Sequence, residues 1–216
     1  DSIEGNKPYY AFINTDGSIA EEYLFSFSDN PRQTKLTHCI EQAGINIALG
    51  YNEYANKSKV SFMMSNFNGY SFYDYLKPLK EDNEEMDDKD IDSCPYGIVH
   101  VKENIFCVLL SYWNKNNNVK QYQLIEVTVE NSKITKKLIY LSEENKIPCS
   151  IALKNDEYIV LYQSLNADGT YDTSKSCITF IDRNSGESLK MEEIEGYLFN
   201  KIKLNQIYNT IFIGEA

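Results

Sequence analysis

The chain offers almost nothing from which a membrane helix, a nucleic-acid surface or a long amphipathic helix could be built. No apolar run approaches the ~20 residues that cross a bilayer as a helix. Basic residues are outnumbered, 21 Lys and Arg against 32 Asp and Glu for a net charge of −11, and they never gather into a stripe. A surface of that sign repels phosphate backbones, which argues against nucleic acid as a partner. With only 5 Pro and 10 Gly in 216 residues, collagen-like and proline-rich linker architectures are excluded. Apolar residues at three- and four-residue spacing, and a capping box ahead of them, are missing over any long stretch. The two histidines, His38 and His100, and the lack of Cys-x-x-Cys leave a zinc site short of ligands. No Gly-x-Ser-x-Gly elbow supports a serine triad, and no cofactor is implied. The chain opens Asp1-Ser2-Ile3, without a Met or a signal-like apolar region. That start suits a mature secreted protein, a trimmed fragment or an excised piece.

What is present is β-forming sequence in quantity. Hydrophobic residues are 42% of the chain, with 17 Tyr and 10 Phe, types that favour pleated, half-buried surfaces. Cys39, Cys94 and Cys149 are equally spaced (94−39 = 149−94 = 55). After each comes a nearly continuous apolar run: Ile45 to Tyr51, Asn104 to Tyr112, Glu157 to Tyr162. Such runs are expected of strands covered on both faces. Polar turns follow at 52–59, 114–118 and 166–176, then second runs at 60–64, 122–129 and 177–181. Short turns and third, more mixed runs complete each unit. Residues 9–27 parallel the later half of a unit, since Ala11-Phe12-Ile13-Asn14-Thr15-Asp16-Gly17 reads like Thr179-Phe180-Ile181-Asp182 and the turn after it. Ile202 to Ile213 parallels the earlier half.

A unit of ~40–50 residues with about four antiparallel strands resembles the blade of a β-propeller, and the likeness extends over nearly the whole chain. It lies in period and strand pattern. The Gly-His…Trp-Asp signature and the kelch double glycine are missing, and Ser164 to Tyr171 has the letters of a sialidase Asp-box in another register. The resemblance implies an all-β β-propeller in a single domain, 1–216. Its units lie at about 1–35 (partial), 36–90, 91–145, 146–200 and 201–216 (partial). The expectation is four blade-like repeats, the two partial units sharing one blade, or a fragment of a larger six- or seven-bladed ring.

Five cysteines cannot all pair internally. Equivalent cysteines on successive blades are too far apart for a disulfide, whereas pairs within a blade, Cys149 with Cys177 or Cys94 with Cys107, are easier. The alternative is small, reduced, buried thiols. His38 and Cys39 are neighbours on a strand and point to opposite faces, which spoils a nucleophile–base pair. Asn56-Lys57-Ser58 is the one N-glycosylation sequon. Glu81 to Asp92 is the densest acidic run, without the mid-loop Gly of an EF-hand, and reads as a mobile, solvated connection. Tyr70, Tyr73, Tyr75, Tyr112 and Trp113 cluster near turns, where they could anchor a protein partner or stack on carbohydrate. These features favour a non-catalytic protein-interaction scaffold of the extracellular or secretory route, with the cytoplasm as the other compartment. The competing readings are a propeller hydrolase or lyase with carboxylates in a central channel, and a lectin-like sugar-binding module.

Overall fold

A computed structural model describes residues 9–13, 16–24, 33–42, 45–54, 58–66, 71–87, 91–115, 118–130, 133–166, 168–205 and 210–214. Every regular element among them is a strand. In chain order these are β1 (Tyr9–Ile13), β2 (Ile19–Leu24), β3 (Gln33–Gln42), β4 (Ile45–Glu53), β5 (Ser58–Asn66), β6 (Ser71–Tyr75), β7 (Ile91–Lys102) and β8 (Ile105–Asn114). There follow β9 (Val119–Glu130), β10 (Lys133–Leu141), β11 (Lys146–Lys154), β12 (Glu157–Ser164), β13 (Lys175–Asp182), β14 (Ser188–Glu195), β15 (Lys201–Asn205) and β16 (Thr210–Gly214).

They pair in sequence order into three four-stranded antiparallel meanders, β3–β6, β7–β10 and β11–β14, and two hairpins, β1–β2 and β15–β16. The all-β expectation holds. No pairing among the described residues joins these five sheets into a closed one.

The second strand of each meander explains the unbroken apolar runs. On β8, Phe106, Val108 and Leu110 pack with Ile47, Leu49, Val60 and Phe62 of the first meander. The alternate residues Cys107 and Leu109 pack with Tyr158, Val160 and Tyr162 of the third. One step along, Ile159 and Leu161 on the other face of β12 meet Ile202 of β15. Side chains alternate across a strand, so a central strand between two layers must be apolar at nearly every position. The outer strands face less: β10 alternates exposed and half-buried residues, and β14 is largely exposed.

The first strands are neighbours across sheets. β7 lies against β3 on one side and β11 on the other, and β11 against β15. Gly97 of β7 is required there, because a Cβ at that position would stand 2.6 Å from Ile151 Cγ2 of β11. The β11–β12 turn places Asn155 (φ 50°) and Asp156 (φ 61°) in the left-handed region, as a two-residue type I′ hairpin requires.

Residues 80–85 and 87 of the acidic connection are exposed, and the stretch just before them is anchored in the core. Leu76 and Leu79 are buried in the layer between the first two meanders. Leu79 N donates to Gln123 Oε1 (2.9 Å), and Gln123 Nε2 donates back to the Leu79 carbonyl (2.6 Å). The segment continues onto β10, where Leu138 N donates to Asn83 Oδ1 (2.7 Å) and Lys136 Nζ to Glu85 Oε1 (2.7 Å). Glu84 and Glu85 thus meet Lys80, Lys77 and Lys136, while Leu76 and Leu79 ahead of the acidic run fill the core.

Candidate functional site

The later halves of β3, β7, β11 and β15 converge on one cavity of about 670 Å³. Ile40 and Gln42 come from β3, Ile98 to Val101 from β7, Ile151 to Leu153 from β11 and Ile202 to Leu204 from β15. Each of these strands ends its sheet order, so each has backbone N–H and C=O groups without a ladder partner on one side. The apolar side chains of the walls are mainly β-branched: Ile40, Ile98, Val99, Val101, Ile151 and Ile202. Gln42, His100, Asn155, Asp156 and Lys203 supply polarity. The surface that faces the hollow is thus more polar than the residue types of its walls suggest.

Several of those groups are already oriented. His100 Nε2 lies 2.9 Å from the Glu103 carbonyl; a carbonyl only accepts, so this nitrogen bears a proton and donates it. Asp156 Oδ1 accepts from Arg183 Nη1 (3.3 Å). Arg183 Nε also donates to Glu126 Oε1 (2.7 Å), which takes a second hydrogen bond from the Tyr158 hydroxyl (2.6 Å). Glu126 is buried, and this network ties the second meander to the third. The Glu126 carboxylate raises the pKa of the Arg183 guanidinium, while burial, first of all, pushes the Tyr158 phenol far up and keeps it a neutral donor. His38 on β3 is shifted down, chiefly by burial and then by the charge of Lys201.

Asp156 is the one carboxylate among the residues lining the cavity. The two convergent acids of a channel hydrolase are not brought together there. Among the described residues no group of three or more His, Cys, Asp or Glu side chains is placed to hold a metal ion, and no helix is long and apolar enough to cross a membrane.

Of the aromatics singled out by sequence, Tyr75, Tyr112 and Trp113 lie at the opposite end of the sheets. Tyr75 pairs with Ser61 near the β4–β5 hairpin, and Trp113 with Lys120 near the β8–β9 hairpin. The Tyr75 hydroxyl is 2.6 Å from that of Tyr54, with Lys59 Nζ 5.1 Å from its ring centroid. Trp113 donates through Nε1 to Asn118 Oδ1 (3.1 Å) beneath the ammonium groups of Lys115 and Lys120. Tyr112 is only 5% exposed, donates to Gln121 Oε1 (2.8 Å), and burial raises its pKa to about 12. It packs rather than presents a binding surface. Tyr73 pairs with Met63 on β6; Tyr70 and Asn56 lie outside the described residues.

All five thiols are free, and the within-sheet disulfides are not made. Cys149 packs towards β15 whereas Cys177 packs towards the second meander, so the two occupy opposite faces of one sheet. Cys94 pairs with Ser111 and Cys107 with Val99, which separates them along the β7–β8 ladder. Burial is the leading cause that raises Cys94 and Cys149 to about 11, leaving protonated, weakly nucleophilic thiols at neutral pH.

Sequence reasoning passed over β14. Leu189 and Met191 stand 54% and 53% exposed on it, and β13 is its ladder partner. The signal was the alternation of apolar and charged residues in Leu189-Lys190-Met191-Glu192.

No family model matches the chain, and no curated protein matches it in sequence. A solved structure, an acylaminoacyl peptidase in complex with Z-Gly-Gly-Phe-chloromethyl ketone, matches over 76% of this chain at 12% identity and a TM-score of 0.47. This chain spans about a quarter of that one, 26%.

Proposed function

We propose that the chain is a non-catalytic protein-interaction scaffold whose sheets are successive blades of a β-propeller. The blade arrangement is supported by two features. Each apolar layer lies between sheets consecutive in sequence, and the first strands of four sheets share one cavity. The observation that bears the interaction reading is the outer strand of the third meander. Among the described residues its edge has no further strand, and two large apolar side chains on it are about half exposed, Met191 with its sulfur 2.8 Å from the Tyr162 hydroxyl, whereas the matching edge of the second meander is covered by the chain's own residues 76–87. Exposed apolar groups on a strand with unpaired backbone mark a protein-binding edge.

Selection of a displayed peptide library on the folded chain tests this reading, with hydrogen exchange to locate what is selected. Selected peptides should slow exchange of amides in 188–195. Selection that enriches nothing above an unrelated all-β protein would count against the scaffold.

A further inference from the structure

The outer edges of the second and third meanders carry opposite charge. β10 is basic, with Lys133, Lys136 and Lys137, and it is met by an acidic segment of the same chain: Lys136 binds Glu85 and the Tyr75 carbonyl (3.0 Å), and Leu138 N is taken by Asn83. β14 is acidic. Glu187 precedes it, and this acid with Glu192, Glu193 and Glu195 outnumbers Lys190, which meets Glu192, and Lys175 of β13, which binds Glu193 (2.6 Å). The connection into the third meander, residues 142–145, cannot cover this edge as 76–87 covers β10. It is short and pinned to β9, where Ser142 N donates to the Tyr122 carbonyl (2.9 Å) and Asn145 N to the Lys120 carbonyl (2.8 Å).

Alternation along β14 sets what a fifth strand would have to bring. Residues 189, 191, 193 and 195 share one face, so that face reads apolar, apolar, acid, acid. An antiparallel strand laid on this edge places its side chains directly opposite these. Its favourable pattern is basic-x-basic-x-apolar-x-apolar, with the basic end against Glu195 and Glu193. A second copy of β14 fits less well: centred on Glu192, antiparallel self-pairing sets Leu189 against Glu195 and Met191 against Glu193, and centred on Lys190 it sets Leu189 against Met191 but Glu193 against Glu187.

We infer that β14 takes up, as a fifth strand, an extended segment of a protein partner with that basic-to-apolar pattern; this rests on the interaction-scaffold reading. Backbone hydrogen bonds supply the affinity of such strand addition, and the alternate side chains its selectivity.

The test uses the folded chain and two labelled peptides, Lys-Thr-Lys-Thr-Val-Thr-Val and Glu-Thr-Glu-Thr-Val-Thr-Val, followed by fluorescence anisotropy and hydrogen exchange. The basic peptide should bind about tenfold more tightly than the acidic one, since two cross-strand pairs change from attraction to repulsion at up to ~1 kcal/mol each. It should slow exchange in 188–195. The double variant Glu193→Lys with Glu195→Lys should reverse the preference, and recovery of the acidic peptide shows that this variant is folded. Equal binding of the two peptides, protection elsewhere, or concentration-dependent self-association lost in Leu189→Lys with Met191→Lys would overturn the inference. Library peptides that bind a chain indifferent to the basic probe would overturn it and leave the scaffold reading standing. A chain that binds no peptide of any kind loses both.

Discussion

The imidazole of His38 on β3 lies in the electrostatic field of the Lys201 ammonium on β15, and both strands line the cavity. Burial and then that positive charge hold the folded-state pKa of His38 below its ordinary 6.5. Between the depressed value and 6.5 the unfolded chain binds more protons than the folded one. Stability therefore rises with pH across this window and is lost as pH falls through it. Replacing Lys201 by Gln should move the His38 titration back towards 6.5 and flatten the acid limb of the stability curve, both readable by NMR of the imidazole protons and by denaturant melts. An unmoved His38 titration would mean that burial alone holds it down and that the Lys201 charge does not reach the imidazole.

Thiol chemistry separates the reduced structure from a disulfide-bonded one. Five thiols should titrate in denaturant, with the same count before and after reductant. In the folded chain Cys39 is the exposed one, and Cys107 and Cys177 are buried. Alkylation at neutral pH should reach Cys39 first, slowly because burial raises its pKa, and reach the buried pair only on unfolding. A count of three or fewer without reductant would restore the within-sheet pairs.

The central strands were legible because burial on both faces leaves its mark within one short stretch, as in Phe106 to Leu110 and Tyr158 to Tyr162. The first strands were not. β7 contains Asp92, Pro95, Gly97 and His100, residues that break a strand pattern and are tolerated here because β7 is an edge strand with bulges at Pro95/Gly97 and His100/Lys102. β11 repeats this with a bulge at Pro148/Ser150. The equal cysteine spacing does mark these first strands, but not one level along them. Cys39 pairs with Ala48 towards the β3–β4 turn, whereas Cys94 pairs with Ser111 towards the far end of β8. The cavity, the Arg183–Glu126 contact and the cover over β10 depend on residues far apart in sequence, and no local pattern announces them.

The Glu126–Arg183 pair should behave as a buried ion pair, with side chains 10% and 14% exposed. Arg183→Met leaves the carboxylate with Tyr158 alone and should cost about 3 kcal/mol. Adding Glu126→Gln should recover part of that loss, because the uncompensated charge is gone. Tyr158→Phe removes one hydrogen bond to a charged acceptor and should cost about 1.5–3 kcal/mol. Urea melts of the three variants and the double mutant give the coupling directly. Additive losses would show the contact to be energetically idle.

Gln123 is the fastening of the 76–87 segment, and its loss should be felt at two places. The side chain is buried and satisfies both backbone groups of Leu79, itself buried. Gln123→Ala strands a donor and an acceptor away from water, at ~1–3 kcal/mol each, so stability should fall by about 2–6 kcal/mol. Gln123→Glu keeps an acceptor for Leu79 N but opposes a carboxylate to the Leu79 carbonyl, and should be no better. Released from its anchor, the segment should exchange its amides faster, and Leu138 with it, because Asn83 is what closes that position on β10. An uncovered β10 edge is a template for further pairing, so the variant should also aggregate more readily on warming. Exchange at β14 should not change, since no part of 76–87 reaches it. Unaltered exchange at 76–87 in a stable Gln123→Ala chain would show that Leu76 and Leu79 hold the segment by packing alone.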